Sequence, residues 1–87
     1  MKRLNPQSTQ VTVQRRGEQY TVDVEADVCG DIVCIQGTTC NGQVFLLDDN
    51  ETSAARFLIL NKIWPKQGHD RRAANLLRIA KEFPYYA

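Results

Sequence analysis

The chain contains few of the residues that catalysis and covalent cross-linking require. Among its 87 residues there are one histidine and three cysteines. An odd number of cysteines excludes a scaffold in which every cysteine is paired within the chain, and free thiols are typical of a reducing compartment. The glycine-rich spacing of a phosphate-binding loop is also missing, so the sequence gives no indication of nucleotide hydrolysis.

Long hydrophobic runs are missing as well. The longest uninterrupted apolar stretches, for example 44–47 and 57–60, have four residues. A helix needs about 20 apolar residues to span a bilayer. The basic residues at the start, Lys2 and Arg3, are not followed by an apolar run, so we expect no secretory signal peptide. We therefore expect a soluble, cytoplasmic protein with no membrane partner.

Positive charge is absent from the middle of the chain. Residues 17–55 contain no lysine or arginine and eight acidic side chains, while the segments on either side are basic and the net charge is only +1. Such segregation produces two fields of opposite sign, and fields of this kind steer charged partners.

Period-two alternation in the first half predicts antiparallel hairpins. Apolar side chains alternate with polar ones on both sides of a turn at Gly17, namely Val11, Val13, Tyr20, Val22 and Val24. Residues 27–31 are interpreted as a connection. Asn41-Gly42 is typical of a type I′ turn and would pair Thr39 with Val44, which places Cys34 and Cys40 on one face unless a bulge at Gly37 shifts the register.

The periodicity becomes helical after Asp48. Asp48 and Glu51 have the spacing of a capping box, and we expect a helix from about Glu51 to Trp64, ended by Pro65. A second amphipathic helix follows a link around His69, with Asp70 as its predicted cap.

These patterns predict the α+β class: a three- or four-stranded antiparallel meander of hairpins, followed by two C-terminal helices packed on one face. We assign residues 1–9, which are polar and lack periodicity, to a flexible arm and residues 10–87 to a single small domain. A domain of this size buries only about 60–65% of its unfolded surface, so a homodimer would add useful stability.

The residue types of a zinc site are present, but their spacing does not favour one. Cys29, Cys34 and Cys40 are separated by four and five residues rather than arranged as CxxC pairs. In an unbroken strand, which advances about 3.3 Å per residue, Cys34 and Cys40 would lie about 20 Å apart. We therefore predict no metal site and no cofactor, with a Cys29–Cys34 disulfide conceivable only if the turn at Gly30 folds the two together.

No arrangement of a nucleophile and a base is visible. His69 is the only histidine, and in the link between the helices it is interpreted as a solvated loop residue rather than a general base. We predict no catalytic residues and a protein that is not an enzyme.

The acidic segment predicts a binding surface for a basic partner. We expect a small non-enzymatic protein–protein interaction module, such as a regulator or inhibitor of a larger bacterial or phage-targeted machine, that binds another protein through an acidic sheet surface or through the second helix. The predicted acidic surface consists of Asp23, Glu25, Asp27 and Asp31.

The basic C-terminal third offers an alternative function, that of a nucleic-acid-binding accessory protein. Its candidate phosphate contacts are Lys62, Lys66, Arg71, Arg72, Arg78 and Lys81. Against this alternative, the overall pI of about 7.7 is not strongly basic, and the acidic segment would repel a duplex.

Overall fold

A computed structural model describes residues 5–82 as four strands followed by two helices. In chain order these are β1 Asn5–Arg15, β2 Glu18–Cys29, β3 Ile32–Cys40, β4 Gln43–Val44, α1 Asp49–Ile63 and α2 His69–Glu82. The strands form one antiparallel sheet in the order β1-β2-β3-β4. The predicted α+β class is confirmed, with four strands.

Two of the three hairpin turns have left-handed backbone at both central residues. Asn41 and Gly42, between β3 and β4, have φ values of 53° and 80°, and Arg16 and Gly17, between β1 and β2, have 54° and 80°. Positive φ at both central positions is the requirement of a type I′ turn. The predicted turn at Asn41-Gly42 and the pairing of Thr39 with Val44 are therefore confirmed.

A bulge in β3 changes the predicted register. Glu25 of β2 pairs with Gly37, but the next β2 residue, Ala26, pairs with Ile35, which leaves Gln36 as an extra residue in β3. Because side chains alternate between faces, one extra residue moves Cys34 to the face opposite Cys40. Cys34 is exposed whereas Cys40 packs partly against the core, so the two do not share a face; the alternative with a bulge near Gly37 describes this strand, with the extra residue at Gln36.

Two predicted loop segments are strand. Residues 5–9, assigned from the sequence to a flexible arm, belong to β1 and pair with Val24–Val28 of β2; the remaining arm residues, 1–4, lie outside the described part of the chain. The predicted connection at 27–31 shrinks to a turn at Gly30 and Asp31, since β2 continues to Cys29. In both cases cross-strand hydrogen bonding stabilises a sequence with few apolar side chains.

The core lies between one face of the sheet and α1. The sheet contributes buried valines and an alanine, and α1 contributes Ala55 and Ile59, both fully buried. We call this the inner face of the sheet and the opposite one the outer face. α2 packs mainly on α1 and also contacts β1. Within residues 5–82 no helix is both long and apolar enough to cross a membrane.

The predicted capping box at the start of α1 is confirmed. The Glu51 amide donates to Asp48 Oδ1 at 2.7 Å, and the Asp48 amide donates to Glu51 Oε1 at 3.0 Å. The same Glu51 oxygen accepts a hydrogen bond of 2.5 Å from the guanidinium of Arg15, at the end of β1. Glu51 is only 2% exposed, so a buried ion pair links β1 to α1.

The start of α2 differs from the prediction. α2 begins at His69, because the Arg72 amide donates to the Gly68 carbonyl, so Asp70 lies inside the first turn instead of capping it. His69 is 7% exposed. Its interpretation as a solvated loop residue is therefore wrong: the ring is packed against Phe57, with 5.8 Å between ring centroids.

Candidate protein-binding surface

Three of the four predicted acidic residues lie in one row on the outer face. Val22 and Val24 of β2 point into the core and are fully buried. Because side chains alternate between the two faces along a strand, Asp23, Glu25 and Asp27 point to the outer face. We call Asp23, Glu25 and Asp27 the acidic row. Asp23 and Glu25 are exposed and Asp27 is half-buried, and β2 has a neighbouring strand on each side, so the row runs along the middle of the sheet.

The cross-strand neighbours of the acidic row carry no positive charge. On β1 and β3 the row is opposite small or uncharged residues, namely Pro6, Ser8, Gln10, Cys34, Gly37 and Thr39. Gln10 Nε2 donates to Asp23 Oδ1 at 2.9 Å, which orients that carboxylate without neutralising it. The ion pairs found in residues 5–82 are Arg15–Glu51 and Arg78–Glu82, and neither involves the row.

Lys62 of α1 is the cation that reaches this surface. Its ammonium donates to the Ser8 carbonyl, and with Asp23 and Glu25 it lines a shallow depression of about 650 Å³. Lys62 thus shields an edge carbonyl of β1. It makes no ion pair with Asp23 or Glu25 within residues 5–82, and one ammonium beside three carboxylates leaves the surface with a net negative charge.

Exposed apolar side chains lie toward the rim of the sheet, and these were missed from the sequence. Val44 pairs with the outer-face residue Thr39 and is 80% exposed, Leu46 is 69% exposed, and Ile32, opposite Cys29, is 63% exposed. The sequence does contain a pattern that predicts them. Residues 44–47 are all apolar, and because side chains alternate along an extended chain, only two of the four can face the core. The outer face thus combines a central negative charge with apolar side chains at its border.

Asp31 is not part of this surface. It lies in the β2–β3 turn beside Gly30, whose φ is 65°, and it lines a different groove together with Trp64 and Arg72. The predicted acidic surface of four residues is therefore corrected to three, because the end of β2 turns the chain away before Asp31.

The predicted basic residues are exposed but do not form one surface. Lys62 is held at the β1 edge, Lys66 lies in the link between the helices, and the Arg72 guanidinium lies 5.8 Å from the Phe57 ring centroid. Arg78 pairs with Glu82 at 3.4 Å. At 100° per residue, Arg71, Arg78 and Lys81 lie within about 80° of one another on one side of α2, whereas Arg72 is turned away from them. Only three of the six therefore share a helix face, and one of these three, Arg78, is paired with a carboxylate.

The cysteines are free thiols: Cys34 is exposed, and Cys29 and Cys40 are half-buried. Cys29 is opposite Ile32, so Cys34 is its diagonal neighbour, at a Cα separation of about 7–8 Å that is too long for a disulfide. In the part of the chain that the structure describes, no three His, Cys, Asp or Glu side chains come together as a metal-binding group.

The geometry of the outer face suits the binding of another surface by charge and apolar contact. It offers a row of carboxylates with no cationic cross-strand neighbour and, within residues 5–82, no ion pair, together with exposed aliphatic side chains toward the rim of the sheet. Comparisons of the chain with protein-family models, curated proteins and solved structures found no match.

Proposed function

We propose that this protein is a non-enzymatic interaction module whose outer sheet face binds a basic surface of another protein. The observation that carries the proposal is the acidic row itself: Asp23, Glu25 and Asp27 lie side by side along the central strand β2, with no cationic cross-strand neighbour. Carboxylates arranged in this way attract a basic partner and set its orientation.

The apolar border supports a protein as the partner. Electrostatic complementarity mainly raises the association rate, whereas buried apolar contacts hold a complex together. Val44, on the edge strand β4, and Leu46, just after it, are more than two-thirds exposed and would supply such contacts. Occupation of a basic surface in this way suits a small regulator or inhibitor of a larger bacterial or phage-targeted machine.

Nucleic acid is a weaker fit to the same geometry. The outer face would repel phosphates, and the basic residues are divided among the β1 edge, the interhelical link and different sides of α2. Binding to nucleic acid would require those separated groups to contact phosphates without bringing the acidic row close to the backbone.

The proposal is tested with two variants of equal charge. One neutralises the row by Asp23→Asn, Glu25→Gln and Asp27→Asn. The control neutralises three exposed carboxylates outside both the acidic row and the groove described below, by Asp49→Asn, Asp70→Asn and Glu82→Gln. Partners of the tagged wild-type protein are captured from nuclease-treated lysate and identified, and the affinity of the purified partner is then measured for all three proteins at several salt concentrations.

We expect a partner with a basic surface whose Kd rises at least about tenfold for the row variant, changes little for the control variant, and rises with salt. Equal losses in the two variants would show that net charge, and not the row, is responsible. The capture is repeated without nuclease. Recovery of nucleic acid and no protein in that experiment would favour the alternative function, nucleic-acid binding.

A further inference from the structure

A groove lies where the β2–β3 turn meets the end of α1 and the start of α2. Its volume is about 530 Å³, which is within the range of small-molecule sites, roughly 300–1,000 Å³. Asp31, Phe57, Trp64, His69 and Arg72 contribute to its walls. No member of the acidic row lines the groove, so a ligand bound in it would not depend on the proposed protein-binding surface.

His69 is the first indication that the groove holds a ligand. The residue is 7% exposed, and its Nδ1 atom is buried without a hydrogen-bond partner among the described residues. Buried polar atoms in native proteins nearly always have a partner, and an exception calls for a specific explanation. Since His69 lines the groove, a polar group bound there is one source of the missing partner.

The aromatic side chains provide a second, independent indication. The Phe57 and His69 rings stack with an interplanar angle of 19°, and the Arg72 guanidinium covers the Phe57 ring at 5.8 Å from its centroid. Trp64, the C-terminal cap of α1, lines the same groove and is 47% exposed. A large indole that lines the groove and is left half exposed to water offers a platform for a further planar group.

The polar groups define what the planar ligand must carry. The Asp31 carboxylate accepts hydrogen bonds, and the Arg72 guanidinium donates them. A nucleobase has both kinds of group on its edges, and guanine fits best, because its ring N–H and amino groups suit a carboxylate and its O6 and N7 suit arginine.

We propose that this groove binds a nucleobase, preferentially guanine. The base stacks on Trp64, its amino edge donates to Asp31, and Arg72 donates to O6 and N7. The Nδ1 atom of His69 forms a further hydrogen bond with the bound base.

Trp64 makes the test direct, because it is the only tryptophan in the chain. GMP, AMP, CMP and UMP are titrated into the full-length protein, with ribose 5-phosphate and inorganic phosphate as controls, while tryptophan fluorescence is recorded. We expect saturable quenching by the nucleotides, with GMP tightest, and none by the two controls. Saturation by inorganic phosphate or ribose 5-phosphate at the same concentrations as GMP would overturn the proposal, and so would no saturable change with any nucleotide.

A matched pair of variants locates the site. Arg72→Gln and Asp31→Asn should each weaken GMP binding about tenfold, the scale of one specific base contact. Arg71→Gln removes the same charge from an exposed neighbouring position of α2 and should leave the affinity unchanged. Circular dichroism checks that each variant is folded. Equal weakening by Arg71→Gln and Arg72→Gln would contradict recognition of the base in the groove.

The source of the base is distinguished by a third titration with a short guanine-containing single-stranded RNA. Equal affinity per site for GMP and the RNA indicates a free nucleotide, and much tighter binding of the RNA indicates a strand; both outcomes support the site. The variant that neutralises the acidic row should bind GMP as the wild type does, so failure of the outer-face proposal and failure of the groove proposal are separable.

Discussion

Replacement of Arg15 by methionine tests whether a buried ion pair holds the sheet to α1. The Arg15 guanidinium donates to Glu51 at 2.5 Å and to the Leu46 carbonyl at 2.8 Å, and it lies 4.9 Å from the Phe45 ring centroid. In the variant the Glu51 carboxylate stays buried and keeps the hydrogen bond from the Asp48 amide, but it loses its counter-ion.

The expected loss follows from the burial of the two partners. Breaking a buried ion pair typically costs about 3–5 kcal/mol, because the remaining charge is left without compensation. The Arg15 side chain is 19% exposed, so water screens part of the interaction, and methionine retains apolar contact with Phe45. We therefore expect the free energy of unfolding to fall by about 2–3 kcal/mol, a large fraction of the roughly 4–13 kcal/mol typical of a domain this size.

Urea unfolding followed by circular dichroism measures the loss. With a denaturant slope of about 1 kcal/mol per molar urea for a small domain, the midpoint should fall by about 2–3 M. Arg78→Met is the control, because it breaks the exposed Arg78–Glu82 pair, whose side chains are at least half exposed, and should cost no more than about 0.5 kcal/mol. Equal midpoints for the two variants would refute the reasoning.

Gly42→Ala should lower the free energy of unfolding by about 1 kcal/mol, because φ is 80° there. Gly37→Ala, where φ is not positive and no atom crowds an added Cβ, should change it by less than about 0.5 kcal/mol; equal urea midpoints would contradict the turn geometry. Ile59→Ala empties a fully buried site and should cost about 3 kcal/mol, lowering Tm by at least about 10 °C; an unchanged Tm would contradict this packing. A hydrogen bond to Glu18 raises the pKa of Tyr20 above 10.0, so this contact stabilises the fold below pH 10 and is lost as the pH rises through the raised value. Glu18→Gln should lower that pKa. The pKa is measured by following phenolate absorbance against pH, and the Tyr20 signal is the part that disappears in the Tyr20→Phe variant. An unchanged pKa would exclude Glu18 as the cause.

The parts of the fold that the sequence predicted correctly are local. The turn at Asn41-Gly42 requires positive φ at adjacent residues, and the capping box joins Asp48 to Glu51 within one helical turn. The alternation around Asp23 and Glu25 also predicted that these carboxylates face solvent, and both are exposed on the outer face of the sheet. Each of these features depends on residues only a few positions apart, so the local sequence is sufficient to predict the feature.

The sequence determined the element types, their order and the charge on the central strand, because propensity, periodicity and capping act over short stretches of chain. Tertiary structure decided the rest. The pairing of β1 with β2 extends the sheet to Asn5, the bulge at Gln36 reverses the face of Cys34, and the turn at Asp31 removes that carboxylate from the acidic row. These outcomes depend on free energies shared between segments distant in sequence, and no short pattern records such energies.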